Sequence, residues 1–425
     1  MSIELIIFLA MLATFMGGCF ALKLPVSISM VVSAIVGALV AGEGIPLRHL
    51  VEGMFSYVDT ILVIACAMIF MKVVQHSGAL DALASLIIEK FHKTPALLLC
   101  LIMFVIMFPG MITGSSTASV LSAGSIMAPV LMLMGIPALE TACILAMGGM
   151  LGMIAPPVNV PAMIIGGGID IPYVGFELPL TLLTFPLAIV IVQFFGYKFV
   201  KKLDYSTIKT KLNNEPREKF GLKIYIPIFV ALFLMVLSKA VPAMPDLGMP
   251  LVFLIAAFVG MFTGYKINIV AVCNDSIKSV LPVLGILMGV GMFIQIMTFT
   301  GVRGFIVTNC LSLPYILLYV AMAISIPLFG SVSSFGAASV LGVPFLLAFV
   351  SKNQIVTAAA ISLIASLGDM MPPTALAGIF AAQVVGLEKY TPVLKKCLIP
   401  ALMIIAWGIL FIVFANDLAP YIVLK

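Results

Sequence analysis

Two stretches of this chain, Thr94 to Leu139 and Gly304 to Ser351, run for 46 and 48 residues without one charged side chain. A soluble core has no use for uncharged runs of that length; they need lipid as solvent. Elsewhere, too, charge is only punctuation. Of the 425 residues 9% are charged and 63% hydrophobic, and mean hydropathy is +1.27. At about 20 residues per helical crossing the chain has room for about a dozen. This excludes a nucleic-acid binder, a soluble enzyme and a single-span receptor.

The uncharged runs map the membrane segments. Leu5 to Leu22 and Leu24 to Ala41 are 18 residues each. Met54 to Val74 carries Asp59 near one end and Lys72 near the other, where both are expected to snorkel to water. The 46-residue run follows, then Ala142 to Gly168, broken by Pro156, Pro157 and Pro161, then Leu178 to Tyr197. A polar stretch with eight Lys/Arg and three acids, Lys198 to Lys223, comes next. After it the order repeats: Ile224 to Ser238, Leu247 to Tyr265, Ser279 to Val302, the 48-residue run, Asn353 to Leu387 broken at Pro372 and Pro373, and Cys397 to Asn416. Motifs repeat in step. Gly110-Met-Ile-Thr113 with Ala118-Ser119-Val120-Leu121 returns as Gly330-Ser-Val-Ser333 with Ala338-Ser339-Val340-Leu341, offset by 220. Leu151-Gly152-x-x-x-Pro156-Pro157 returns as Leu367-Gly368-x-x-x-Pro372-Pro373, offset by 216. This is an internal repeat, residues 1–197 and 224–425 around a basic linker, 198–223.

Each long run outlasts a single span and holds small polar residues at its middle. Pro95 to Phe108, 14 residues, makes about 21 Å of helix, and Pro314 to Phe329, 16 residues, about 24 Å, against ~30 Å of hydrocarbon. Each run is therefore read as a re-entrant hairpin, 95–136 and 314–350, with its tip inside the membrane. By length alone, two ordinary spans joined by a surface loop remain the alternative. With broken helices at 141–168 and 354–386, each half makes five crossings, so the halves are inverted. Placing the linker in the cytoplasm puts both termini outside and 17 of the 22 Lys/Arg inside, the bias that the positive-inside rule requires. The expected fold is an all-α polytopic membrane protein of two inverted repeats, with about 10 crossing helices and two re-entrant hairpins. The apolar N-terminus, with Glu4 its only charge before Lys23, reads as a first span that stays.

Helices that stop inside a membrane expose backbone groups, which is tolerated only where protein or a water-filled cavity satisfies them. Inverted repeats with broken helices mark secondary transporters, with ligands near the midplane. The Pro-Pro pairs supply the breaks, because proline lacks a donor and blocks the i−4 carbonyl. Freed carbonyls facing Ser and Thr hydroxyls make hard oxygen ligands suited to Na⁺, and helix N-termini opposite suit an anionic substrate group. A lone Ser in a membrane helix ordinarily bonds its own i−4 carbonyl; paired motifs at matched positions point to a site. Asp369, an acid among apolar residues beside the second break, is a functional candidate, with a helix cap as its plain alternative. The seven cysteines lie singly, and the three histidines form no ligand pair, so no cofactor is expected beyond the coupling ion.

In length, segment order and motifs, the chain resembles the large membrane subunit of the tripartite ATP-independent periplasmic (TRAP) transporters, within the ion-transporter superfamily. The most specific stretches are Thr113-Gly114-Ser115-Ser116 through Gly124-Ser125-Ile126-Met127, and Leu151-Gly152 through Pro156-Pro157-Val-Asn159-Val-Pro161. The resemblance implies an elevator-type, Na⁺-coupled carrier of organic acids in the cytoplasmic membrane. It also implies a separate small membrane subunit and an extracytoplasmic binding protein as partners. In that picture Thr113, Gly114, Ser115, Ser116, Pro156, Pro157 and Asn159 make one Na⁺ site. Ser331, Ser333, Ser334, Asp369, Pro372, Pro373 and Thr374 make a second, and Ser116, Thr117, Asn159, Ser334 and Thr374 touch substrate. Gly330 to Gly336 carries no acid where the family's second hairpin often has one. Against this stand a permease of the same superfamily working without a binding protein, and an intramembrane hydrolase suggested faintly by Tyr57-Val-Asp59 and Gly368-Asp369. The hydrolase lacks a mid-span histidine as base. A channel would want a ring of charge or carbonyls around an open pore, and none is legible. The chain is read as a carrier, not an enzyme.

Overall fold

The computed structural model describes residues 2–200, 213–240, 247–311, 313–372 and 375–423; among them every regular element is a helix. Seven helices are long and apolar enough to cross a bilayer, or eight if Leu398–Val413 and Ala415–Ile422, bent by 84°, form one span. Two of the seven, Pro95–Thr113 and Ser116–Leu133, are arms of the first hairpin. The segments expected as the ten crossings correspond to the other five, the bent pair, and helices shorter than that length: Val26–Val40, Gly248–Gly260 and the pieces of the two broken helices.

Packing divides these helices into two bodies. Ile3–Phe20, Val26–Val40, Leu47–Phe55, Val58–His76, Ile226–Ala240, Gly248–Gly260 and Ile269–Phe299 pack chiefly on one another and form a frame. The hairpins, the broken helices, Glu177–Gly196 and Leu398–Val413 form the second body. Ala79–Phe91 and Val302–Leu311 run between the two. The third segment of the second half begins at Ile269, not Ser279 as the uncharged run suggested. Its first turns carry Asp275 and Lys278, which a charge-free window discards, and Asn268 caps it by accepting from the Ala271 amide at 3.2 Å.

Both hairpins are built alike. The first arm is Pro95–Thr113, 19 residues, so the helix passes Pro109 instead of ending at Phe108 and reaches about 28 Å. Arm length alone therefore does not make this hairpin re-entrant. Gly114 ends the arm in a left-handed conformation, φ +63°, and a Cβ there would sit 2.4 Å from a Val160 methyl. Ser115 caps the returning arm, which runs through a helical turn, a π-helical turn at Val120–Gly124, and Ser125–Leu133. In the second half Tyr315–Gly330 leads to the cap Ser333, the turn Ser334–Ala337, the π turn Ala338–Gly342 and Val343–Ala348. Ser115 and Ser333 are 218 apart, as are the two π turns. The offset of 220 holds at Gly110 and Gly330, but the second tip is two residues shorter, so the Ala-Ser-Val-Leu match is out of structural register by two.

The broken helices hold the halves together. Ala138–Ile154 packs on Leu376–Val384, and Gln354–Ser366 packs on Val160–Gly167, so each leading piece meets the trailing piece of the other half. Each hairpin lies on its own half's broken helix at a glycine contact. A Cβ on Gly110 would come within 2.9 Å of the Gly152 carbonyl carbon, and one on Gly330 within 2.7 Å of the Gly368 Cα. The buried carboxylate of Glu140 pairs with Lys396, tying the two halves at one end of this body.

Candidate functional site

At the first break, the chain leaves Ile154 with its carbonyl freed and restarts at Val160. Asn159 repairs the gap. Its amide donates to the Ile154 carbonyl at 2.8 Å and to Ser362 Oγ at 2.9 Å, while its Oδ1 accepts from the Ala162 amide at 2.8 Å. The Val158 amide bonds the Met111 carbonyl at 3.1 Å, fixing the break to the first tip. At the second break, Gln354–Ser366 tightens into a 3₁₀ turn, Leu367–Met370, which exposes Asp369 to both tips. Ser334 Oγ donates to Asp369 Oδ1 at 2.5 Å, and Ser116 Oγ donates to Oδ2. One carboxylate, 9% exposed, thus holds both hairpin tips. The repeat does not double it: 216 residues earlier stands Met153, whose thioether is only a weak acceptor and carries no charge.

Beside this junction lies a cavity of about 460 Å³ between the two bodies. Ser115, Ser116, Thr117, Ser333, Ser334 and Asp369 line it from the second body. The other candidates lie away from it. Thr113 donates to the Pro109 carbonyl on its own helix at 2.7 Å, Gly114 forms the arm's C-cap, and Asn159 is wholly committed to the break. Pro156, Pro157, Ser331 and Pro372 are not in the lining, and Pro373 and Thr374 fall outside the described residues. The two tips therefore converge on the second break's acid instead of forming two matched sites with their own breaks. Ser115 and Ser333 also act as caps, accepting from the Ala118 and Gly336 amides at 3.2 and 3.3 Å.

Sequence reasoning missed the frame wall. Met68, Met71, Lys72 and Gln75 line the cavity from Val58–His76, and Ser279, Pro282, Val283 and Ile286 from Ile269–Phe299. Helical spacing puts 68, 71, 72 and 75 on one face, but nothing in the sequence marks that face as the one that meets the cavity. The linker docks on Ala79–Phe91, the connecting helix that follows Val58–His76. Asn213 bonds Asp81 at 3.3 Å, Arg217 pairs with Glu89, and Tyr225 donates to the Ala82 carbonyl at 2.9 Å. No group of three or more His, Cys, Asp or Glu that could bind a metal occurs among the described residues. Asp369 and its two serines bring together one carboxylate and two hydroxyls, a set of hard oxygen donors.

An all-helical chain of many apolar spans, with paired hairpins meeting at buried breaks, is a polytopic membrane protein of transporter architecture. Residues 10–418 match the family described as the tripartite ATP-independent periplasmic transporter, DctM component, and the chain belongs to that family. It is a multi-pass secondary transporter protein. The fold is similar to the crystal structure of the YdaH transporter of Alcanivorax borkumensis, described as revealing an unusual topology. The TM-score is 0.59 at 17% identity, covering 87% of this chain and 88% of that one. No curated protein matches the sequence.

Proposed function

We propose that this chain carries an organic acid across the cytoplasmic membrane, coupled to Na⁺, by displacement of the hairpin body against the frame. The observation that carries the reading is the convergence of both tips on Asp369 at the edge of the cavity. A buried carboxylate is costly without a counter-charge. Na⁺ bound there would compensate it and recruit the Ser116 and Ser334 oxygens, fastening both tips over the substrate. Without the ion, the same hydroxyls spend their protons on the carboxylate. The division into two bodies, joined by Ala79–Phe91 and Val302–Leu311, supports a rigid displacement of one against the other.

Sidedness follows from the linker. Lys72 and Gln75 of the cavity wall lie in the last two turns of Val58–His76, next to Ala79–Phe91 on which Asn213 and Arg217 dock, and the charge bias assigns the linker to the cytoplasm. The conformation described is then the inward-facing one, with both termini outside. Membership of the family supports a small membrane subunit and an extracytoplasmic binding protein as partners. Uptake of labelled organic acids into proteoliposomes tests the proposal, with the chain reconstituted alone and with both partners. Uptake should need an inward Na⁺ gradient at constant pH. Full uptake driven by a pH gradient without Na⁺ would refute Na⁺ coupling, and full uptake by the chain alone would refute the need for partners.

A further inference from the structure

We infer that Lys72 is the cation that receives an anionic group of the substrate, a carboxylate, while the cavity faces the linker side. This deepens the transport reading and rests on it. Lys72 stands about one turn from the end of Val58–His76 and contributes to the same cavity as the tip serines. It is half-buried beside Met68 and Met71, and it forms no ion pair with any described residue. The one acid in the lining, Asp369, forms no ion pair with it; its oxygens accept from the tip hydroxyls across the cavity. Lys72 therefore presents a positive charge with no counter-charge in contact, on a partly apolar wall where an unpaired charge is disfavoured, while the cavity's one acid is engaged by the tips.

An entering carboxylate supplies what is missing. Across the cavity from the frame stand the hydroxyls of Ser115, Thr117 and Ser333, which can donate to its oxygens. A volume of about 460 Å³ suits a small organic anion. A lysine ammonium acts as a point charge and imposes no bidentate geometry, so it selects charge more than shape. The location of Lys72 adds a second consequence. The serines belong to the hairpin body and Lys72 to the frame, so displacing one against the other separates them. Substrate keeps the tip hydroxyls in both positions and has Lys72 only on the linker side.

The test is sided transport. Right-side-out and inside-out vesicles carrying the chain with its partners would be assayed with a panel of radiolabelled carboxylates: acetate, succinate, glutarate and a sugar acid. For whichever probe the unmodified protein saturates with, Lys72→Gln should raise the half-saturating concentration about tenfold from the linker side. From the opposite side it should stay within about twofold, and Lys72→Arg should restore most of the linker-side affinity because the charge returns. Lys72→Met, whose side chain suits the neighbouring methionines, should behave as Lys72→Gln and guards against a folding defect in that variant. Equal changes from both sides, or none from either, in variants that still transport would overturn the assignment while leaving the transport reading intact. Failure of the unmodified protein to move any carboxylate from either side would overturn the transport reading and this inference with it.

Discussion

Asp369 concentrates the chemistry of the site, and its two serine donors separate roles that the sequence could not. The tip serines are neighbours in sequence, yet Ser115 caps a helix while Ser116 donates to the carboxylate. Ser115→Ala should cost about 1 kcal/mol of stability and leave Na⁺ dependence unchanged. Ser116→Ala or Ser334→Ala removes a hydrogen bond to a charged group, worth about 1.5–3 kcal/mol, together with one ligand of the proposed ion. Each should raise the Na⁺ concentration needed for half-maximal uptake at least severalfold, and Asp369→Asn should raise it further. Na⁺ titration of uptake for the four variants checks this; a Ser115→Ala effect equal to that of Ser116→Ala would place the ion elsewhere. Asp369 was legible because an acid in an apolar run is conspicuous. Lys72 was not: a lysine near the end of a span has the same sequence appearance whether it snorkels to water or faces a cavity. Only the neighbouring helix decides.

At the scale of elements, the breaks and tips were readable because a Pro-Pro pair and a cluster of small polar residues each have local physical consequences. Quantities set by contacts between elements were not. The first arm continues through Pro109, and the second tip is two residues shorter, although the motif match there suggested a constant offset. Asn159 shows the same limit. Its place beside Pro156 and Pro157 suggested an ion or substrate ligand, but its donors and acceptor are used to close the break and to reach Ser362 in the other half. Asn159→Ala should therefore act on stability, lowering it by about 2–3 kcal/mol through a lost cap and an unsatisfied Ile154 carbonyl. Thermal unfolding in detergent should show the loss, while the protein that remains folded keeps an unchanged Na⁺ requirement. A shifted Na⁺ requirement with unchanged unfolding temperature would return Asn159 to the site.

Across the whole molecule, the partition into frame and hairpin body arises from long-range packing, which no local pattern in the sequence reveals, and under the proposed displacement the contacts between the bodies would set the balance of positions. Phe15 of the frame stacks on Phe329 of the second hairpin at 5.3 Å, an apolar contact able to slide. Tyr57 differs. It sits where the frame turns from Leu47–Phe55 into Val58–His76, is buried, packs against Gly167, and donates to the Ile164 carbonyl at 2.9 Å. That carbonyl belongs to the trailing piece of the first broken helix, so the bond ties the frame directly to the body proposed to move. A displacement large enough to carry the cavity to the other side must break it. Tyr57→Phe keeps the ring and its packing and removes one hydrogen bond of about 1 kcal/mol, shifting a two-position equilibrium roughly fivefold toward the opposite side. The Ile164 carbonyl still accepts from the Gly168 amide at 2.9 Å, so folding should be preserved. A cysteine replacing Thr117 on the cavity wall reports the outcome. In the Tyr57→Phe background, its labelling by a membrane-impermeant thiol reagent should fall from the linker side and rise from the other. Unchanged labelling from both sides would mean that Tyr57 stays with the same partner throughout and that the frame boundary lies elsewhere.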